Sequence, residues 1–219
     1  QGLLHDNYLY GIDAKRLHTT LVHPNEILDG AMVNGTCVVA SDKFTTYDHQ
    51  NNALLLELYR RHNIDLDFRG CIIVPTYTVL KDKERCTASA VRIAQMLELD
   101  GVIIPEEGGG NPEADLMKMI RGCEQQGIKT VGILTALGGE EGIADTTPEA
   151  DAIVNVGYDG LDLLLPPMKR IIGDLTQATV LAGGYEDSVQ PDGSLKVSII
   201  AMMAAHNQMG ATNFSSKVM

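Results

Sequence analysis

Residues 101–135 read GVIIPEEGGGNPEADLMKMIRGCEQQGIKTVGILT. The stretch opens on a short apolar run, Gly101–Pro105, and closes on another, Lys129–Thr135, both rich in the Val and Ile that suit a strand. Between them the start of a helix is well marked. Asn111 fits the N-cap, Pro112 the first helical position, and Glu113 and Asp115 bring negative charge to the first turn. Leu116, Met119, Ile120 and Cys123 then recur at helical spacing until Gly127 supplies a stop. Strand, helix and strand in this order belong to a parallel sheet covered by helices.

The same alternation extends outward. Cys37–Ala40, Gly70–Val74 and Ala152–Val156 are further strand candidates, while Asn52–His62 and Thr87–Leu99 carry apolar residues at helical spacing. Together they predict an α/β fold: a three-layer, mostly parallel, Rossmann-like sheet with helices on both faces. His18–Val22 and Ala31–Val33 read as strand-like, with Pro24-Asn25-Glu26 opening a short helix between them. Near the far end, Thr179–Gly184 and Leu195–Ile200 read as extended segments around a turn at Gln190–Gly193. Ala136–Pro148 reads as a loop. No repeat, low-complexity tract or long linker divides the chain, so residues 1–219 are expected to form one domain. The opening Gln1-Gly2, without Met, suggests a processed or trimmed product.

Composition narrows the functional classes. With 17 basic against 29 acidic residues the net charge is −12, and no basic stripe of the kind that binds phosphates is present. Nucleic acid and anionic membrane surfaces are therefore not expected partners. No apolar run is long enough to span a bilayer. Cys37, Cys71, Cys86 and Cys123 show neither CxxC nor Cys/His ligand spacing, which predicts no metal site. A chain with this much apolar residue has no need of disulfide staples, so reduced thiols and a cytoplasmic location are expected. His5, His18, His23, His62 and His206 show no ligand pattern and are read as structural, and Met117, Met119, Met202 and Met203 as core filler.

Three places carry possible chemistry. In Met32-Val33-Asn34-Gly35-Thr36-Cys37-Val38-Val39-Ala40, a glycine and two small nucleophile-type residues lie between apolar runs. The Cys37 thiol can attack the Thr36 carbonyl if Gly35 permits the necessary backbone approach. A core cysteine ending a turn fits the same spacing, and spacing alone favours it. His49 lies in the polar run Thr45–Asn52 and titrates near neutrality, as a general acid/base should. The same run also reads as a capping cluster, with Asn51 or Asn52 as N-cap. Glu106, Glu107 and Asn111 follow a strand and open a helix, where α/β proteins place ligands. A plain strand-to-helix loop reads equally well, and the glycines there form no dinucleotide fingerprint.

Here a longer pattern adds information. Asn34-Gly35-Thr36-Cys37, Ser41-Asp42-Lys43 and Thr45–Asn52 are followed in order by Gly101–Ile104, Glu106-Glu107-Gly108, Gly110-Asn111-Pro112, Asp115-Leu116 and Gly127–Thr130. Leu165–Met168, Gly183-Gly184, Asp192-Gly193-Ser194 and Lys196-Val197 complete the set. This ordered series resembles the pyruvoyl-forming subunit of component B of the glycine, sarcosine and betaine reductases. The resemblance implies an oxidoreductase subunit whose cofactor is a pyruvoyl group made from Cys37 by cleavage at Thr36–Cys37. Residues 1–36 would then be the tail of the upstream cleavage fragment and residues 37–219 the pyruvoyl-bearing subunit. It further implies a small amine substrate, held by Glu106, Glu107 and Asn111 with Cys37, Thr36 and His49 catalytic, and a selenocysteine-containing partner subunit in an oligomeric complex.

By that resemblance the ketone would act as an electron sink that weakens the C–N bond of a bound amine, and a selenolate from the partner subunit would displace the amine. Betaine, with a quaternary nitrogen, cannot condense with a ketone. Gly109, where an aromatic is expected, and Leu137-Gly138-Gly139-Glu140, in place of a more polar loop, leave the substrate open. Two rivals remain: a D-proline reductase-type pyruvoyl subunit, and an uncleaved, non-catalytic α/β ligand-binding relative.

Overall fold

A computed structural model describes residues 17–30, 50, 52–105, 111–134, 147–155, 162–167 and 188–198. In chain order these hold β1 (Thr20–Val22), α1 (Pro24–Leu28), α2 (Ala53–Arg61), β2 (Cys71–Ile73), α3 (Leu80–Met96), β3 (Gly101–Pro105), α4 (Asn111–Glu124), β4 (Lys129–Leu134), β5 (Ala152–Asn155), β6 (Asp162–Leu165) and β7 (Leu195–Ser198). The strand candidates Cys37–Ala40 and Ala31–Val33, and the extended segment Thr179–Gly184, lie outside the described residues.

The decisive stretch folds as it reads. β3 pairs in parallel with β4, and β4 in parallel with β5, giving the order β3-β4-β5. Side chains alternate across a strand, so Ile104, Leu134 and Ile153 share one face, and α4 lays Leu116 and Ile120 upon it. Gly132 lies at the centre of that contact. A Cβ there would come within 2.8 Å of Ile153 Cδ1 and 2.9 Å of Ile120 Cδ1, so any larger residue requires the ends of those two side chains to move. Farther along α4, Cys123 joins Ile128 from the following turn and Ala94 from α3, with Val91 and Val102 packed around them. Gly127, with φ of +77°, turns the chain out of the helix toward β4.

α3 and α4 thus lie on one face of the three-stranded sheet. On the other face Ile103 and Val154 are 39% and 44% exposed. The described residues form a mixed helix and strand structure around a parallel three-stranded sheet, which is an α/β arrangement.

Two expectations are corrected. Gly70–Val74 was expected in the parallel sheet, but β2 pairs antiparallel with β1, Leu21 facing Ile72. A strand of three residues has no pattern that specifies its partner or direction; burial does that here, since Val22, Ile27 and Leu55 form a separate core against Cys71 and Ile73. The helix expected from Thr87 begins instead at Leu80. Its first two turns were illegible because the inward position is Lys83 rather than an apolar residue.

Local chemistry closes the smaller elements. His23 caps α1, its Nδ1 accepting from the Asn25 amide at 3.2 Å while Glu26 accepts from the His23 amide at 3.1 Å. Asn52, 2% exposed, caps α2 by accepting from the Leu55 amide at 3.0 Å. The turn at Gln190–Gly193 forms as expected, with Asp192 accepting from the Ser194 amide at 2.9 Å and Gly193 at φ of +82°. It leads into β7, whose partner is β6, antiparallel. β6 has no strand signature in the sequence, because Asp-Leu-Leu-Leu carries no β-branched residue.

Ile120→Ala should cost about 2–5 kcal/mol by leaving a cavity under the sheet. Gly132→Ala should cost about 1–3 kcal/mol by the opposite fault, overpacking. Denaturant unfolding measures both, and a neutral Gly132→Ala would show that the helix–sheet contact is looser than described.

Candidate functional site

The direction of α4 fixes where a site can lie. Its first turns pack Leu116 near Ile104 and Leu134, at the carboxyl ends of β3 and β4, while Cys123 lies near Val102 at the opposite end. The start of α4 therefore stands at the carboxyl edge of the parallel sheet, where open α/β sheets bind ligands. Asn111 is the first residue of α4, one step inside the N-cap position expected for it.

Beneath this edge lies a buried charge pair. The Lys83 ammonium, in the first turn of α3, donates a hydrogen bond to Asp115 Oδ2 in the first turns of α4. Their side chains are 7% and 0% exposed. Asp115 Oδ1 has no hydrogen-bond partner among the described residues. Burial pushes the Asp115 carboxyl above the usual carboxylate range, opposed by the hydrogen bond and charge of Lys83 and, less strongly, by Lys118. Lys83 carries no local mark of a buried partner in the sequence, and Asp115 reads there as a first-turn acid. The available signal was spacing: Lys83 falls in line with Thr87, Ala90 and Ala94, which form the buried stripe of α3.

Of the residues assigned to chemistry, Thr36, Cys37, His49, Glu106 and Glu107 lie outside the described residues, and Asn111 is placed only through its backbone. The capping alternative for the Thr45–Asn52 run holds for Asn52. His62 is structural as expected, its Nδ1 accepting from the Phe68 amide at 3.0 Å.

Cys71, Cys86 and Cys123 are free thiols. Burial pushes the Cys71 thiol up to about 12 and, with help from Glu124, the Cys123 thiol up to about 11. Thiols in such surroundings are protonated at neutral pH and poor nucleophiles. Among the described residues no group of three His, Cys, Asp or Glu could hold a metal, and no helix is long and apolar enough to cross a membrane.

Alkylation with iodoacetamide at pH 7, followed by peptide mass mapping, should leave Cys71 and Cys123 unmodified in the native protein and label both after denaturation. Rapid native labelling of Cys71, which is half-buried, would contradict a thiol held protonated by its surroundings. For the ion pair, Lys83→Met should destabilise by about 3–5 kcal/mol because it strands a buried carboxylate, whereas Lys83→Met with Asp115→Leu should be near neutral or stabilising. Equal losses in the single and double variants would rule out a stranded charge as the cause.

Residues 1–217 match the family model described as glycine/sarcosine/betaine reductase component B subunits. Among similar curated proteins, the sarcosine reductase complex component B subunit alpha of Peptoclostridium acidaminophilum is 42% identical over 94% of this chain and 49% of its own length. The glycine reductase complex component B subunits alpha and beta of Acetoanaerobium sticklandii are 41% identical over 99% of this chain and 52% of theirs. The betaine reductase complex component B subunit alpha of Peptoclostridium acidaminophilum is 34% identical over the whole chain and 52% of its own. The chain thus spans about half the length of the curated relatives it matches. No solved structure gave a match. On the strength of a match that runs through nearly all its residues, this chain belongs to the family of glycine/sarcosine/betaine reductase component B subunits.

Proposed function

We propose that this chain is part of the pyruvoyl-forming subunit of a cytoplasmic amino-acid reductase, binding a small amine for reductive C–N cleavage together with a selenocysteine-containing partner subunit in an oligomeric complex. The carrying observation is Asn34-Gly35-Thr36-Cys37, set within an ordered series of motifs that runs to Lys196-Val197 in a chain of this family.

The chain carries the residue pair from which the group would be made. The Cys37 thiol adds to the Thr36 carbonyl and the acyl group moves from nitrogen to sulfur. β-Elimination then breaks the Cys37 Cβ–S bond, leaving the sulfur on Thr36 as a thiocarboxylic acid. Water replaces the resulting imine nitrogen, which leaves as ammonia, and residue 37 becomes a ketone-bearing N-terminus. When formed, that group supplies an electron sink for a bound amine. His49 holds and moves a proton near it. Glu106 and Glu107 face the amine's positive charge, and Asn111 with the amides at the start of α4 faces a carboxylate.

Within this reading residues 1–219 form one three-layer, Rossmann-like domain, a second layer of helices covering Ile103 and Val154; residues 1–36 are the tail of the upstream product. Parallel sheets are covered on both faces in nearly all known cases, which supports the second layer.

Intact-mass spectrometry of the full-length protein should give two products meeting between Thr36 and Cys37. The downstream one should shift on borohydride reduction, and the upstream one should carry sulfur in place of a terminal oxygen until it hydrolyses. Cys37→Ala should abolish both cleavage and turnover. An unbroken chain with a free Cys37 thiol in an active complex would refute the reading, and turnover of D-proline alone would replace the substrate class.

A further inference from the structure

We propose that His62 is a pH-sensitive latch on the loop joining α2 to β2: the neutral imidazole holds the Phe68 amide on its Nδ1, and the protonated ring turns to the Asp67 carboxylate and releases the loop. This latch is separate from the chemistry proposed above.

One nitrogen faces two mutually exclusive partners. The Phe68 amide donates to His62 Nδ1 at 3.0 Å, which requires a lone pair there and places the ring proton on Nε2. Asp67 Oδ1 lies 3.5 Å from the same Nδ1. A second proton converts Nδ1 into a donor, so it can no longer accept from Phe68, and an acceptor already stands within about half an ångström of bonding distance. The His62 side chain is 34% exposed, so that proton comes directly from solvent.

The first half of the loop is closed without the imidazole. The Asn63 amide donates to the Leu66 carbonyl at 2.9 Å and the Ile64 amide to the Arg61 carbonyl at 3.0 Å. The second half is tied back to α2 through the Phe68 amide, and the Phe68 ring stands edge-on to Tyr59 of α2, centroids 5.6 Å apart. Phe68 also packs against the core of Val22, Ile27 and Leu55. Releasing its amide therefore loosens the segment that leads through Gly70, at φ of +137°, into the pairing of β2 with β1.

The surrounding charges leave the imidazole as the group that titrates. Asp67 also pairs with Arg69 at 3.0 Å, Arg61 pairs with Asp65, and Arg60 pairs with Glu57. Hydrogen bonds from these last two arginines hold the Asp65 and Glu57 carboxyls below the usual range. From β2 comes Cys71, pushed up to about 12 by burial, and from α1 the uncharged Asn25, to which Tyr59 donates. Burial also raises the Tyr59 phenol. Between pH 5 and 8 carboxylates, arginines, a phenol and a buried thiol keep their charge states, whereas histidine changes its own.

The test follows the 15N-labelled full-length protein by NMR from pH 8 to pH 5. The Phe68 amide should lose about tenfold or more of its protection, corrected for the intrinsic pH dependence of exchange, in step with the arrival of a proton on His62 Nδ1. His62→Asn, whose side-chain oxygen replaces Nδ1 and carries no titrating proton, should keep that amide protected across the range. Asp67→Asn should move the Phe68 step to lower pH, because the group that favours the charged ring loses its own charge. His23, whose Nδ1 accepts from the Asn25 amide, is read separately at that amide and should titrate alike in all three proteins.

A Phe68 amide that stays protected while the His62 ring titrates would overturn the latch, as would a ring that takes no proton on Nδ1 down to pH 5. Persistence of the Phe68 step in His62→Asn would do the same. If that variant does not fold, an unshifted step in Asp67→Asn counts against the latch.

Discussion

The contact between α4 and the parallel sheet governs what else this structure can do. Leu116 and Ile120, both fully buried, press onto Ile104, Leu134 and Ile153 above Gly132, where a Cβ would displace the ends of Ile120 and Ile153. That approach sets the height of α4 above the sheet. It also sets the helix's direction, and hence which edge of the sheet its first turn occupies. At Gly122, on the side facing α3, a Cβ would meet Val91 Cγ2 at 2.7 Å, so a small residue is needed there for α3 to lie against α4.

Two helices drawn together in this way bring their first turns to one place. Lys83 and Asp115 are 32 residues apart in sequence yet share a hydrogen bond in a dry interior. Within a protein of low internal polarity such a pair is sensitive to any further charge placed beside it. A helix start at the carboxyl edge of a parallel sheet is where an anionic group of a ligand comes to rest. The start of α4 and the Lys83–Asp115 pair therefore lie toward the same end of the helix pair.

Much of this architecture could be read in advance, but not uniformly. Gly101–Pro105, the Asn111–Glu124 helix and Lys129–Leu134 were legible because local signals agreed: β-branched runs, an N-terminal Asn-Pro with acidic residues, a clean apolar stripe and a glycine stop. The start of α3 was not, because its inward face begins with a lysine. β6 was not, because three leucines resemble helix as much as strand. The antiparallel pairing of β2 could not follow from a run of three residues whose partner lies about 50 residues earlier.

The division between what sequence determined and what required tertiary structure follows from the range of the forces involved. Caps, turns and stripes are set by neighbours within a few residues, and the match along residues 1–217 places the chain in its family because identity is written directly in residue order. Strand partners, the thiols sealed in the core and the Lys83–Asp115 pair exist only once distant segments exclude water between them. Burial is a property of the assembled chain, and without it Lys83 and Asp115 are two ordinary surface charges.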